Sequence, residues 1–203
     1  MKRYGFTLLT LVFLGVSLAC GGGGGEGDGS TDAGLAAGFP HSLVLYSDGS
    51  VYAWGWNDEG QLGLGDDVER DTPTLVGALS DKGVISITAG SDHSLVLCSD
   101  GSVYAWGDNN SGQLGLGDEL DRDFPTLVST LSDKDVISLA GGFAHSLALC
   151  SDGSVYTWGK NDDGQLGLGD DVDRDIPTLV GALSDKDVIS LTAGTDLLLC
   201  PLL

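Results

Sequence analysis

Ser47-Asp48-Gly49-Ser50-Val51-Tyr52-Ala53-Trp54-Gly55, followed from Gly60 by G-Q-L-G-L-G-D, decides the fold. The same words restart at Ser99 and at Ser151, an offset of 52 residues each time. His41, His93 and His145 keep this period. So do Trp54, Trp106 and Trp158, and Pro73, Pro125 and Pro177. A fixed period near 50 residues is the mark of a propeller, a solenoid or an array.

The middle copy gives the unit. Val84 to Thr88 is β-branched and alternating, which predicts a first strand, A. His93 to Cys98 predicts strand B, and Asp100-Gly101 a tight turn of type I′ with positive φ at both central residues. Ser102 to Trp106 predicts strand C, with Tyr104 and Trp106 on one face and Val103 on the other. A glycine-rich loop runs to Asp123. Pro125 to Val128 predicts a short strand D. A proline at its first residue suits an edge strand, which need not donate there. Leu131 to Lys134 then leads back to the next strand A. Four short antiparallel strands per repeat make a propeller blade.

The words H-S-L-x-L-x-S-D-G-x-V-Y-x-W-G-x-N-x-x-G-Q-L-G-x-G-D resemble the repeat of the regulator of chromosome condensation family. The resemblance runs from about residue 36 to the end of the chain. It implies an all-β propeller, usually closed with seven blades. Its chromatin role and its nucleotide-exchange activity belong to particular members, and a shared fold does not transfer them.

Three repeats are expected, at about 49–100, 101–152 and 153–203, within a propeller region of residues 36–203. The first has only Leu35 to Gly38 where strand A belongs. After the third, Val188 to Gly194 repeats the strand A pattern, and then T-D-L-L-L-C-P-L-L lacks the histidine. Three repeats and a partial fourth are too few to close a ring in one chain. The alternatives are an open arc, association between copies, or a truncated product.

Residues 1–19 read as a signal peptide: basic Lys2 and Arg3, then an apolar stretch from Phe6 to Leu18 that is too short to span a bilayer. Ala19-Cys20 resembles a bacterial lipobox, with Cys20 as the lipidated residue, although Ser17 and Leu18 depart from the usual pattern. Residues 20–35 then form a glycine-rich flexible tether. These features predict an exported, membrane-anchored lipoprotein of the cell envelope, with a secreted form as the alternative.

The net charge of −21 repels phosphates and anionic headgroups. No nucleic-acid partner is expected, and contact with a membrane only through the lipid. Cys98, Cys150 and Cys200 share one repeat position. Equivalent positions of neighbouring blades are expected about 10 Å apart, beyond the roughly 7 Å between α-carbons that a disulfide allows. They read as small buried hydrophobes, with Cys200 open to pairing between chains.

No catalytic residue, cofactor or metal is expected. One histidine per blade is too widely spaced for zinc, and each is expected to bond backbone near its own strand B. The acidic loops Asp66–Asp71, Asp118–Asp123 and Asp170–Asp175 offer calcium several carboxylates. Arg70, Arg122 and Arg174 more simply pair an aspartate in each. Ser42, Ser94 and Ser146 follow the histidines directly, so within one strand the two side chains point to opposite faces and form no nucleophile–base pair.

Variation between the copies collects at one end. The B–C turn and the Leu-Ser-Asp-Lys return are constant. The A–B loops differ (Phe39-Pro40, Ser91-Asp92, Phe143-Ala144), and so do the starts of the C–D loops (Trp56, Asp108, Lys160). In a four-stranded antiparallel blade these loops leave the same edge. Loops on a rigid scaffold carry recognition, and exposed aromatics make good anchors. The expected function is a non-catalytic, surface-anchored module that binds an extracellular protein or ligand through Trp56, Phe39, Phe143, Asp108 and Lys160. A degenerate duplication product with a structural role only is the first alternative. An enzyme on a propeller scaffold is the second. Self-association is also expected, because an open arc exposes blade faces.

Overall fold

The computed structural model describes residues 34–194. Within them the chain folds into three four-stranded antiparallel sheets. The first holds β1 (Gly34–Ala37), β2 (His41–Leu45), β3 (Val51–Gly55) and β4 (Arg70–Leu75). The second holds β5 (Val84–Ala89), β6 (His93–Cys98), β7 (Val103–Gly107) and β8 (Arg122–Leu127). The third holds β9 (Val136–Gly141), β10 (His145–Cys150), β11 (Val155–Gly159) and β12 (Arg174–Leu179). Strand order follows chain order in each sheet. These are propeller blades, as the period predicts. The helical pieces among the described residues are 3-10 turns at Gly77–Leu79, Ser129–Leu131 and Gly181–Leu183. No helix there is long and apolar enough to cross a membrane. The leader, Cys20, most of the tether and Cys200 lie outside the described residues.

The core lies in the seams between blades. Strand alternation gives each blade two apolar faces. The face of blade 1 with Leu43, Val51, Ala53 and Leu62 packs on the face of blade 2 with Val96, Cys98 and Trp106. Blade 2 offers Leu95, Val103, Ala105 and Leu114 to Ala148, Cys150 and Trp158 of blade 3. Val103 and Trp106 thus point to opposite seams, as their parity requires. Cys98 and Cys150 are free and buried, and burial pushes each thiol up to about 11.

Three local expectations are corrected. Strand D begins at Arg122, three residues before Pro125. Between the Ala105–Thr126 and Gly107–Arg122 pairs, three residues of β8 face one of β7. The proline therefore sits in a bulge of an edge strand, where no ladder needs its missing N–H. The B–C turn is not type I′, since only its glycine has positive φ (84° at Gly101). Gly101 N donates to Cys98 O at 3.0 Å and Cys98 N to Ser102 O at 2.9 Å, the three-residue hairpin with a glycine bulge. The strand A of the first repeat, β1, is short as expected, with four residues against the six of β5. Finally, residues 188–194 carry the strand A pattern yet join no ladder. A strand requires a hydrogen-bonded neighbour, and among the described residues no strand B follows them.

Candidate functional site

The loop end is built by backbone bonds from the A–B loop to the C–D loop of the same blade. Trp56 N donates to Pro40 O at 2.9 Å, Asp108 N to Asp92 O at 2.9 Å, and Lys160 N to Ala144 O at 2.8 Å. The two loop sets therefore emerge together.

A buried asparagine organises each C–D loop. In blade 2, Asn109 Nδ2 donates to Asp118 O at 2.8 Å and Leu120 O at 3.1 Å, while its Oδ1 accepts from Leu114 N at 2.9 Å. Asn57 and Asn161 repeat the pattern. The loop arginines pair aspartates as expected: Arg70 with Asp66 at 2.7 Å, Arg122 with Asp118 at 2.6 Å and Arg174 with Asp170 at 2.7 Å. The guanidinium hydrogen bond holds each of these carboxyls below its usual value. Their carboxylates are tied to the loop itself.

Beneath the loops, each seam carries a polar relay. His41 and His93 do not bond the backbone of their own strand B as predicted. They reach across the seam. His41 Nε2 lies 2.9 Å from Ser94 Oγ. Ser94 Oγ donates to Gln61 O at 2.9 Å, and Trp106 Nε1 donates to the same carbonyl at 2.8 Å. His93, Ser146, Gln113 and Trp158 repeat this at the next seam, at 2.9, 2.8 and 2.8 Å. The serine's one proton goes to the glutamine carbonyl, so His Nε2 must carry a hydrogen and donate to the serine. A histidine–serine pair thus exists across blades, but its geometry is the reverse of a nucleophile and its base. Both members are buried. Burial lowers His41 to about 4, only partly offset by the Ser91 backbone, and His93 to about 3.

Among the proposed binding residues, Phe39 is 91% exposed, Trp56 47% and Phe143 42%. Phe39 and Trp56 share the loop end of blade 1, and Phe143 stands on blade 3. Asp108 is half-buried, accepting from Gln113 Nε2 at 2.6 Å and Asn110 N at 3.1 Å. Lys160 pairs Asp162 at 3.3 Å. The sequence reading missed a meeting across the first seam, where carboxylate oxygens of Glu59, Asp108 and Asp121 lie within 4.8 Å of one another. Burial, then Asp121 and Asp108, raises Glu59 above its usual range. Each carboxylate brings one oxygen to this meeting, three in all against the six to eight that calcium takes. The fixed 52-residue period held the clue, because it places residues of neighbouring repeats edge to edge.

Stacked four-stranded blades with a relay at each seam define a β-propeller repeat protein. The chain belongs to the RCC1-like domain family, whose model matches residues 29–200. It is 38% identical over 150 residues to the Ultraviolet-B receptor UVR8 of Arabidopsis thaliana, covering 74% of this chain and 34% of that one. It is 38% identical over 161 residues to the E3 ubiquitin-protein ligase HERC2 of Homo sapiens, covering 76% of this chain and 3% of the ligase. Among solved structures it resembles Prp20p of Saccharomyces cerevisiae with a TM-score of 0.72 at 27% identity, over 79% of this chain and 41% of that one. The yeast structure was reported with its binding properties to Gsp1p and histones. The chain spans about a third or less of the length of these two curated relatives.

Proposed function

We propose that this chain is a non-catalytic binding module whose contact surface is the loop end of the blades. One observation carries the reading. The three copies are nearly identical in strands B and C, in the B–C turns and in the Leu-Ser-Asp-Lys returns, and they differ where Phe39, Trp56 and Phe143 stand exposed. A core position left exposed to water loses the benefit of burial, whereas an exposed aromatic on a fixed loop is a ready anchor. The binding of Gsp1p and histones by Prp20p supports a protein as the partner class. The net charge of −21 favours a basic or neutral partner over a nucleic acid. Pull-downs with the intact chain and with a Trp56→Ala, Phe143→Ala variant test the surface. The variant is expected to lose its partner by tenfold or more in affinity, on the order of 2 kcal/mol for an anchor residue. Equal recovery by both proteins would remove the loop end as the contact surface.

The second part of the proposal concerns place. The basic and apolar leader, Ala19-Cys20 and the glycine tract support a lipoprotein that stands off an envelope membrane and meets an extracellular partner. The mature protein is expected to begin at Cys20, to carry acyl chains there and to enter the detergent phase on partitioning. Mass spectrometry of its N-terminus checks this, and an unmodified Cys20 on a soluble product defeats it.

A further inference from the structure

The two described seams are built by one rule, and the outer faces of blades 1 and 3 keep both halves of that rule unfilled. At each described seam a glutamine carbonyl, Gln61 O or Gln113 O, accepts from the serine and the tryptophan of the next blade. Gln165 holds this place in blade 3, and its carbonyl has no such donors among the described residues. The matching donors stand on blade 1. Trp54 and Ser42 are only half-buried, whereas Trp106, Trp158, Ser94 and Ser146 are fully buried. The Trp54 indole N–H makes no hydrogen bond among the described residues.

The glycines give the same answer independently. A β-carbon on Gly60 or Gly112 would lie 2.6 Å from the α-carbon of Asp123 or Asp175 in the next blade, and on Gly63 or Gly115 it would lie 2.7 or 2.9 Å from the next tryptophan nitrogen. These seams demand glycine. In blade 3, nothing lies within 4 Å of a β-carbon on Gly164, and the nearest atom to one on Gly167 is Val180 Cγ1 at 3.8 Å. Blade 3 presents a seam-fitted surface with no blade against it among the described residues.

We infer that a second copy of this chain occupies these faces head to tail, blade 3 of one copy seaming against blade 1 of the other. The contact continues an interface the molecule already makes twice. Blade 1 meets it with Trp54, Val44, Tyr46 and Tyr52, and the Tyr46 and Tyr52 rings already pack edge-on, 5.2 Å apart. Residues 188–194 take the position of an inner strand at this junction: Gly194 O accepts from Phe143 N at 3.1 Å, and Val188 and Leu191 pack on Leu149, Val155 and Val180. In the junction this segment displaces the short β1 and pairs β2 of the second copy. The β5–β6 register, in which Ile87 faces Val96 and Ala89 faces Ser94, sets Leu191 against Val44 and Ala193 against Ser42. A head-to-tail contact continues until it closes. Two copies of the three described blades give six, inside the roughly four to eight of closed propellers, so the expected closed species is a dimer.

Sedimentation of the full chain in mild detergent tests this without any partner protein. The expected species has twice the monomer mass. Trp54→Lys breaks the leading face and Leu191→Lys the trailing face, and each variant alone is expected to sediment as a monomer. Val44→Lys serves as the leading-face variant if Trp54→Lys does not fold by circular dichroism. An equal mixture of the two single variants is expected to recover dimer, because one junction in it is intact. A monomeric wild type, variants that stay dimeric, or a mixture that stays monomeric each overturns the inference. The reading of the loop end stands or falls separately, by the pull-down.

Discussion

Acidification from pH 7 to pH 4 is expected to cost about 3 kcal/mol of folding stability for each of His41 and His93, by linkage. Both rings are held neutral, because their seam excludes the water that would solvate a charge. Folded values of about 4 and about 3 stand against 6.5 for a free ring. The unfolded chain therefore takes up the proton first. As pH falls below 6.5, stability drains away, until the folded rings themselves protonate near 4 and 3. Nδ1 of each ring is the atom that would receive the proton, and it is buried without a hydrogen bond. The carboxyls that bonds to Arg70, Arg122 and Arg174 hold below 3.8 act later, at lower pH. Exposed pairs of that kind contribute little. The loss between pH 6.5 and 4 thus belongs to the histidines. Urea titrations at stepped pH measure it, and a His41→Gln, His93→Gln variant should flatten the profile. A Gln side chain keeps a donor for Ser94 or Ser146 and has no proton to gain. An unchanged slope in that variant would assign the acid sensitivity elsewhere.

The blade was legible because its information is local. Alternation along His93–Cys98 and Val103–Gly107 sets both faces, and the repeated aspartate–glycine words mark every hairpin. Where the fold depends on contacts across the repeat, local reading failed. Neither the histidine nor the serine shows in sequence that His41 meets Ser94, 53 residues on. Parity along one strand correctly separates His93 from Ser94, and it says nothing about the neighbouring blade. Pro125 marks a bulge inside strand D and not its start, and a proline suits either place on an edge strand. The site divides in the same way. Exposure of Phe39, Trp56 and Phe143 follows from loop position, which the sequence shows. The clustering of Glu59, Asp108 and Asp121 needs the seam.

The strongest single substitution follows from those seams. Trp106→Ala is expected to destabilise the fold by about 3–5 kcal/mol, the range for truncating a buried large aromatic. Trp106 is fully buried between blades 1 and 2, against Leu43, Ala53 and Leu62. Its indole N–H donates to Gln61 O, so its loss opens a cavity and removes one of that carbonyl's two donors. Trp54→Ala deletes the same atoms from the same repeat position. Under conditions where the chain is monomeric it should cost far less, since that ring is half-exposed and bonds nothing among the described residues. Trp106→Phe separates the two contributions, keeping most of the volume and losing a hydrogen bond of about 1 kcal/mol. Denaturant midpoints of the three variants give the order directly. The seam governs if Trp106→Ala falls furthest, Trp106→Phe lies between, and Trp54→Ala stays nearest the parent. Equal losses for Trp54→Ala and Trp106→Ala in the monomer would mean that the isolated blade, and not the contact between blades, holds the tryptophan.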